Sequence, residues 1–580
     1  MTRWTKLAFF AALLVSGAAV PARGPRLDQP QPPKGRRPTP AAIEAWKARK
    51  FGMFIHFGLF STLGGVWNGK EIKQGYSEQI QSQAPIPMAE YAPLAKQFNP
   101  VNFDPEAIVK LAEQAGMKFI VITSKHHDGF NMFHTHLTDY NIVDATPYGK
   151  DVIRQLADAC HRHGMKFGVY YSSIDWHYPG ATTWTVDNNN PIPKTHEDFN
   201  VGQLHELLTQ YGPLSEVWFD MGKPTPAQSK RFADTVHQFQ PDCMVSGRVF
   251  NSQGDFTVMG DNDVPPYVID EPWQTPASIY TDTWGYRSWA KRDDLPGKIR
   301  EHILNLAQVV SRGGNYLLNI GPKGDGSVVE FEADVLKGVG TWLKENGVAI
   351  YGSEPQPFRQ LPFGYATVKP GKLFLLVRDW PADERLALPG LQNSIKRAYF
   401  LTDPERTALR IDADPSQKAV VVRKPEGAGP LVTVVVEYAG ALSVVPPTVP
   451  ADGSGFVLTE KNGDRFLNYN GEGYYAPPTL YKLQWAVALK GPGDYKAEIE
   501  FEKPEHPVAV DLWVGDQRTA LTLPGGSGSS RIDAGVLKAS QFQSRPFVMI
   551  KLTPHAPFTK GAELGVKILQ VSLQPAENAP

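Results

Sequence analysis

Cysteine is nearly missing: the 580 residues hold two, Cys160 and Cys243. An exported protein of this length that relied on disulfides would carry more, so a disulfide scaffold is excluded and two buried thiols are expected, with a single bridge as the alternative. Charge of one sign is equally scarce. Lys plus Arg number 59 and Asp plus Glu 60, a formal net charge of −1, and no dense basic run occurs. Without such a field, nucleic acid is not an expected partner. No apolar run long enough to span a bilayer occurs; the one at residues 7–20 is too short, so no membrane span is expected. No G-x-G-x-x-G follows the first strand-like run, which removes support for a dinucleotide fold. The 50 prolines and 52 glycines show no repeat and read as turns.

What is present starts with an export signal. Arg3 and Lys6 give a positive start, an apolar stretch follows, and small residues at 19–22 predict cleavage after Ala22. No cysteine lies near that site, which argues against a lipid anchor there. Residues 1–22 are thus a signal peptide and 23–40, rich in Pro and basic residues, a disordered leader. The remaining length asks for two or three domains. Residues 41–352 alternate β-prone runs, at 51–57, 119–124, 167–172, 217–220, 244–248 and 316–320, with helical segments. Asp104-Pro105-Glu106 and Asp151 read as helix starts, and Gly116 and Gly164 as helix ends. Consecutive βα units over roughly 300 residues predict an α/β fold, a closed (β/α)8-like barrel. Beyond it, residues 353–447 read as a β-sandwich and 450–576 as an additional β-rich domain. In that last domain Tyr474, Tyr475 and Trp485 are either core or a platform for glycan binding, with core preferred.

Polar residues gather at the carboxyl ends of the barrel runs, where such folds build their sites. His56 ends the first, Lys125-His126-His127-Asp128 follow the second, and Tyr170, Tyr171 and Asp175-Trp176-His177 follow the third. Asp220 ends Val217-Trp218-Phe219-Asp220 and Arg248 ends the next. One strand-terminal Asp is usually a cap or turn former. Five polar ends on one rim make a site the better reading.

Five segments carry a resemblance: Phe51-Gly52-Met53-Phe54-Ile55-His56-Phe57-Gly58, His126-His127-Asp128-Gly129-Phe130, Val217-Trp218-Phe219-Asp220, Asp282-Thr283-Trp284-Gly285-Tyr286 and Gly313-Gly314-Asn315-Tyr316-Leu317-Leu318-Asn319-Ile320-Gly321-Pro322. In this order they are similar to the α-L-fucosidase family of glycoside hydrolases. The resemblance implies a retaining exo-hydrolase of fucosylated oligosaccharides or glycoconjugates that uses no metal or other cofactor. It assigns Asp220 as nucleophile and His56, His126, His127, Arg248 and a tyrosine after the third run, taken as Tyr171 over Tyr170, as holding the sugar and the nucleophile. Trp67, Glu78 and Trp284 are further sugar contacts. The family draws its acid/base from the loop before Trp-Gly-Tyr, where Asp255, Asp261, Asp263, Asp270 and Glu271 stand. Gly254-Asp255-Phe256 resembles the start of that loop and points to Asp261, with Glu271 in reserve. Two departures are visible. Gln274 follows Trp273 where many relatives have a carboxylate, and an amide cannot be a general acid. Gln79 stands where relatives often have Trp after the Glu.

The chemistry fits these assignments. A glycosidic bond breaks through an oxocarbenium-like state flanked by an ionised carboxylate and a protonated acid, roughly 5 Å apart when configuration is retained. A metal site is the weaker reading of His126-His127-Asp128, since neighbours on an extended chain point in opposite directions and no His-Glu-x-x-His completes a set. A catalytically silent fucose-binding protein is the other rival.

Overall fold

The computed structural model describes residues 37–178, 191–269, 271–413, 418–427, 429–453, 455–468, 479–489, 494–538, 542, 547–555 and 564–576. The expected signal peptide, most of the expected leader, Asp270 and the pair Tyr474-Tyr475 lie outside these residues.

Eight parallel strands form the first unit: β1 Phe51–Ile55, β2 Phe119–Lys125, β3 Lys166–Ser172, β4 Glu216–Asp220, β5 Met244–Val245, β6 Thr257–Val258, β7 Trp273–Ser278 and β8 Asn315–Ile320. Their order in the sheet is β5-β4-β3-β2-β1-β8-β7-β6. A parallel bridge between Ser246 and Phe256 and the Asp255 N–H bond to the Val245 carbonyl (2.7 Å) join the two ends into a barrel. Helices follow six of the strands; between β5 and β7 only a 3-10 turn, Gly247–Val249, is present.

Strand alternation sorts the side chains into two cores. Phe167, Val169 and Tyr171 of β3 and Val217 and Phe219 of β4 face outward into the layer shared with the helices. Phe54, Tyr170, Trp218 and Leu317 face inward and form a separate cluster inside the barrel with Trp46, Phe256 and Trp284. Trp46 comes from helix α1, Pro40–Lys47, and its ring lies 4.6 Å from that of Phe256. The expected helix caps are in place: Asp104 and Asp151 accept from Ala107 and Arg154 N–H, and Gly164 takes φ 68°. Cys160 and Cys243 are both buried and unpaired.

β6 and β7 escape the sequence reading. The first has two residues, and the second, Trp-Gln-Thr-Pro-Ala-Ser, is neither an apolar run nor free of proline: Pro276 sits opposite Leu317 of β8.

Residues 364–438 form a four-stranded and a three-stranded antiparallel sheet around their own apolar cluster. The other face of the four-stranded sheet lies on the long helix Glu330–Ile350, where Trp342 Nε1 donates to the Leu431 carbonyl and Thr433 Oγ1 to Asn346 Oδ1. Strands between 456 and 575 form a second pair of sheets, of four and five strands, with Trp485 buried in their core. Among the described residues no helix is long and apolar enough to cross a membrane.

Gly340 marks where helix Glu330–Ile350 crosses the end of helix Pro105–Gln114: a Cβ there would lie 2.0 Å from the Gln114 carbonyl oxygen. Gly340→Ala is expected to cost about 1–3 kcal/mol by overpacking, read as a lower Tm by circular dichroism. An unchanged Tm would contradict this packing.

Candidate active site

At the carboxyl ends of the strands, one pocket is lined by Phe54, His56, Tyr76, Glu78, Gln79, His126, His127, Tyr170, Trp218, Asp220, Met221, Arg248, Asp261 and Trp284. Asp220 ends β4 at its centre. Arg248 Nη1 donates to Asp220 Oδ1 at 3.0 Å, and the Tyr170 hydroxyl donates to Oδ2 at 2.7 Å. The second amino nitrogen of the same guanidinium donates to Asp261 Oδ1 at 2.7 Å, and Tyr76 reaches Asp261 Oδ2 at 3.4 Å. One planar cation thus ties two carboxylates together. Burial raises the pKa of Asp220, while the Arg248 charge and the Tyr170 hydroxyl pull it back and the Asp261 charge adds to the rise. Met221, directly after Asp220, has φ 62°. A non-glycine residue there carries backbone strain of the kind found beside catalytic groups.

The imidazoles are neutral. Burial lowers His56 to about 4 and holds His126 and His127 well below their usual value. Their partners then fix two tautomers. Asn319 Nδ2 donates to the Trp284 carbonyl, so its Oδ1 accepts from His56 Nδ1 at 2.7 Å. Ser172 donates to the Ile174 carbonyl, so its oxygen accepts from His127 Nδ1 at 2.7 Å. Each ring therefore keeps a bare Nε2 able to accept a hydroxyl proton. His126 Nδ1 is buried and has no hydrogen-bond partner among the described residues. Glu78, also buried, accepts from the N–H groups of Trp284 and Gly285 at 3.1 and 2.7 Å. Burial nonetheless pushes it up to about 7.

The sequence-chosen residues divide accordingly. His56, Glu78, His126, His127, Asp220, Arg248, Asp261 and Trp284 all line the pocket. Tyr171 does not: it faces outward, with its hydroxyl on Asn200 and Gln203, and Tyr170 takes the place assigned to it. Alternation held the answer, because outward-facing Phe167 and Val169 put 171 on their side and 170 inside. Trp67 lies in a short hairpin, paired with Lys70, packs on the main core and is not among the residues lining the pocket.

Glu271 stands before the first residue of β7, beside Pro272, whose carbonyl bonds Thr257 N–H at the start of β6. That is the foot of the barrel, so Glu271 cannot serve as the acid. The same geometry places Gln274 below the site, so its amide says nothing about the acid. Asp255 is spent on Val245 N–H and His237, both at 2.8 Å. His126 and His127 do not point apart as expected: β2 ends at Lys125, both rings turn into the pocket, and their centres are 4.0 Å apart. No three His, Cys, Asp or Glu side chains are grouped as a metal would need among the described residues. Tyr76 and Met221 also line the pocket without having been chosen from the sequence, and so does Trp218, which alternation with outward-facing Val217 and Phe219 puts inside the barrel.

A barrel whose rim presents two carboxylates on one arginine, neutral imidazoles and an apolar floor defines a glycoside hydrolase. The α-L-fucosidase family model matches residues 29–348, over half of the chain, and the chain belongs to that family. It is 29% identical to human tissue α-L-fucosidase over 439 residues, which is 69% of this chain and 91% of that one. Among solved structures it is similar to an α-L-fucosidase from a Vibrio species, at 26% identity and TM-score 0.64, covering 93% of this chain and 99% of the other. It is also similar to α-L-fucosidase isoenzyme 1 from Paenibacillus thiaminolyticus, at 29% identity and TM-score 0.60, covering 69% and 99%.

Tyr170→Phe removes a hydrogen bond to a carboxylate, a loss of about 1.5–3 kcal/mol. We expect kcat/KM on an aryl α-L-fucoside to fall roughly ten- to a hundredfold by that conversion, and the acid limb of its pH profile to move up as Asp220 becomes harder to ionise. Tyr171→Phe should instead lower Tm and leave the rate within about threefold, since its hydroxyl is bonded to Asn200 and Gln203 and not to the pocket carboxylates. The opposite pattern would reverse the assignment.

Proposed function

We propose that the chain is an exo-acting, retaining α-L-fucosidase that removes terminal α-L-fucosyl residues from fucosylated oligosaccharides or glycoconjugates. The observation that supports this reading most is the Arg248 bridge, in which one guanidinium contacts both Asp220 and Asp261 and so brings two carboxyl groups to one side of the pocket, the pairing a double displacement uses. Asp220, ionised beside Arg248, attacks C1 while Asp261, which must enter the step in its protonated form, delivers that proton to the glycosidic oxygen, and the aglycone leaves with it. The resulting fucosyl ester of Asp220 is then cleaved by water, whose proton Asp261 takes back. The bare Nε2 atoms of His56 and His127 accept from sugar hydroxyls. Phe54 and Trp218, which line the pocket from the inward aromatic cluster, suit the methyl group of a 6-deoxysugar. The reading needs no metal.

A second reading of the acid rests on Glu78, the pocket carboxyl that burial brings to about 7, near the working range of a general acid. Export is part of the proposal as well: Arg3, Lys6 and the apolar stretch after them direct the protein to the periplasm or the extracellular space.

Asp220→Ala should lower turnover of aryl and natural fucosides alike by roughly three orders of magnitude or more, and chelators should leave the wild type unaffected. Asp261→Ala should spare aryl fucosides with good leaving groups and be rescued by azide. If Glu78→Ala shows that rescue and Asp261→Ala does not, the acid is Glu78. A chain expressed with its full N-terminus should be recovered outside the cytoplasm starting at Arg23; recovery of the intact chain from the cytoplasm would refute export.

A further inference from the structure

Below the pocket a carboxylate, an amide and two indoles form a buried chain across the barrel floor. Trp46 Nε1 donates to Glu216 Oε2 at 2.6 Å. Gln274 Nε2 donates to Glu216 Oε1 at 3.1 Å, and Trp218 Nε1 donates to Gln274 Oε1 at 2.9 Å. An indole N–H can only donate, so the oxygen of the amide must face Trp218 and its nitrogen must face Glu216. The four side chains fit one another in a single arrangement.

Trp218 is where this floor meets the chemistry. The Arg248 guanidinium lies 4.9 Å from the centre of its ring, and the Tyr170 ring stacks on it at 5.7 Å and 19°. Among the described residues Arg248 and Tyr170 are the two groups that hydrogen-bond the carboxylate of Asp220. A tilt of the indole would therefore displace both at once.

We infer that Gln274 is a positioning residue, whose amide, anchored on Glu216, sets the orientation of Trp218 and through it the placement of Arg248 and Tyr170 on Asp220. Glutamine suits the position because it must accept from one neighbour and donate to the other. A carboxylate at 274 would face Glu216 as a second acceptor of like charge, and an aliphatic side chain would leave the Trp218 N–H without an acceptor in a buried place. The inference rests on Asp220 being the nucleophile.

The test uses the full chain and an aryl α-L-fucoside. Gln274→Leu and Gln274→Glu are expected to lower kcat on the order of ten- to a hundredfold. The acid limb of kcat/KM should move to higher pH, because an arginine that slips from Asp220 no longer favours its charge. The double variant Glu216→Gln with Gln274→Glu exchanges the two groups across one hydrogen bond: the amide at 216 donates to the carboxylate at 274, and both indoles keep an acceptor. It should recover the wild-type rate to within about threefold, and the wild-type acid limb with it. Folded single variants with wild-type kcat and pH profile would overturn the inference. So would a double variant that is no faster than Gln274→Glu or that fails to fold, since it keeps the pattern held to matter. Wild-type turnover in the same assay tests the fucosidase reading by itself.

Discussion

A guanidinium buried beside two carboxylates is the constraint from which the rest of the site follows. Asp220 and Asp261 are almost fully removed from water, and isolated charges there would be costly. Arg248 makes their burial tolerable by offering one amino nitrogen to each. Because a guanidinium is planar, the pairing also fixes where each carboxyl stands, which a flexible ammonium would not do. The balance on Asp220 is fine: burial lifts its pKa, and Arg248 with Tyr170 brings it back. That is what a nucleophile needs when it must be charged yet poorly solvated.

Three imidazoles line the pocket and burial keeps all three neutral, so they act as hydrogen-bond partners and add nothing to the field of Arg248. The tautomers of His56 and His127 are set from behind, by Asn319 through the Trp284 carbonyl and by Ser172 through the Ile174 carbonyl. The inward aromatic cluster continues the same logic downward. Trp218 supports Arg248 from below and is held in turn by Gln274 and Glu216, so the polar chain runs without a break from the barrel floor to the reacting carboxylate.

Much of this was legible in the sequence, for physical reasons that can be named. The βα rhythm is written in caps such as Asp104 and Asp151 and in Gly164, whose left-handed backbone ends a helix. Strand ends told where chemistry would gather, and Asp220, Arg248 and Asp261 meet as expected. What stayed hidden depended on exact phase and register. Tyr171 for Tyr170 is an error of one residue, which on a strand means the opposite face. Glu271 looked close to the site along the chain but lies at the wrong end of β7, a strand concealed by Pro276. Trp67 rests on resemblance alone, and it sits in a hairpin outside the pocket lining.

The central claim is that the carboxylate of Asp220 becomes covalently joined to C1 of the sugar. Incubation with a 2-fluoro-fucosyl fluoride, digestion and mass mapping of the labelled peptide tests it most directly. The account predicts one label, on Asp220 within Val217-Trp218-Phe219-Asp220. A label on Asp261, on Glu78 or on any other residue, or full inactivation without a covalent label, would contradict it.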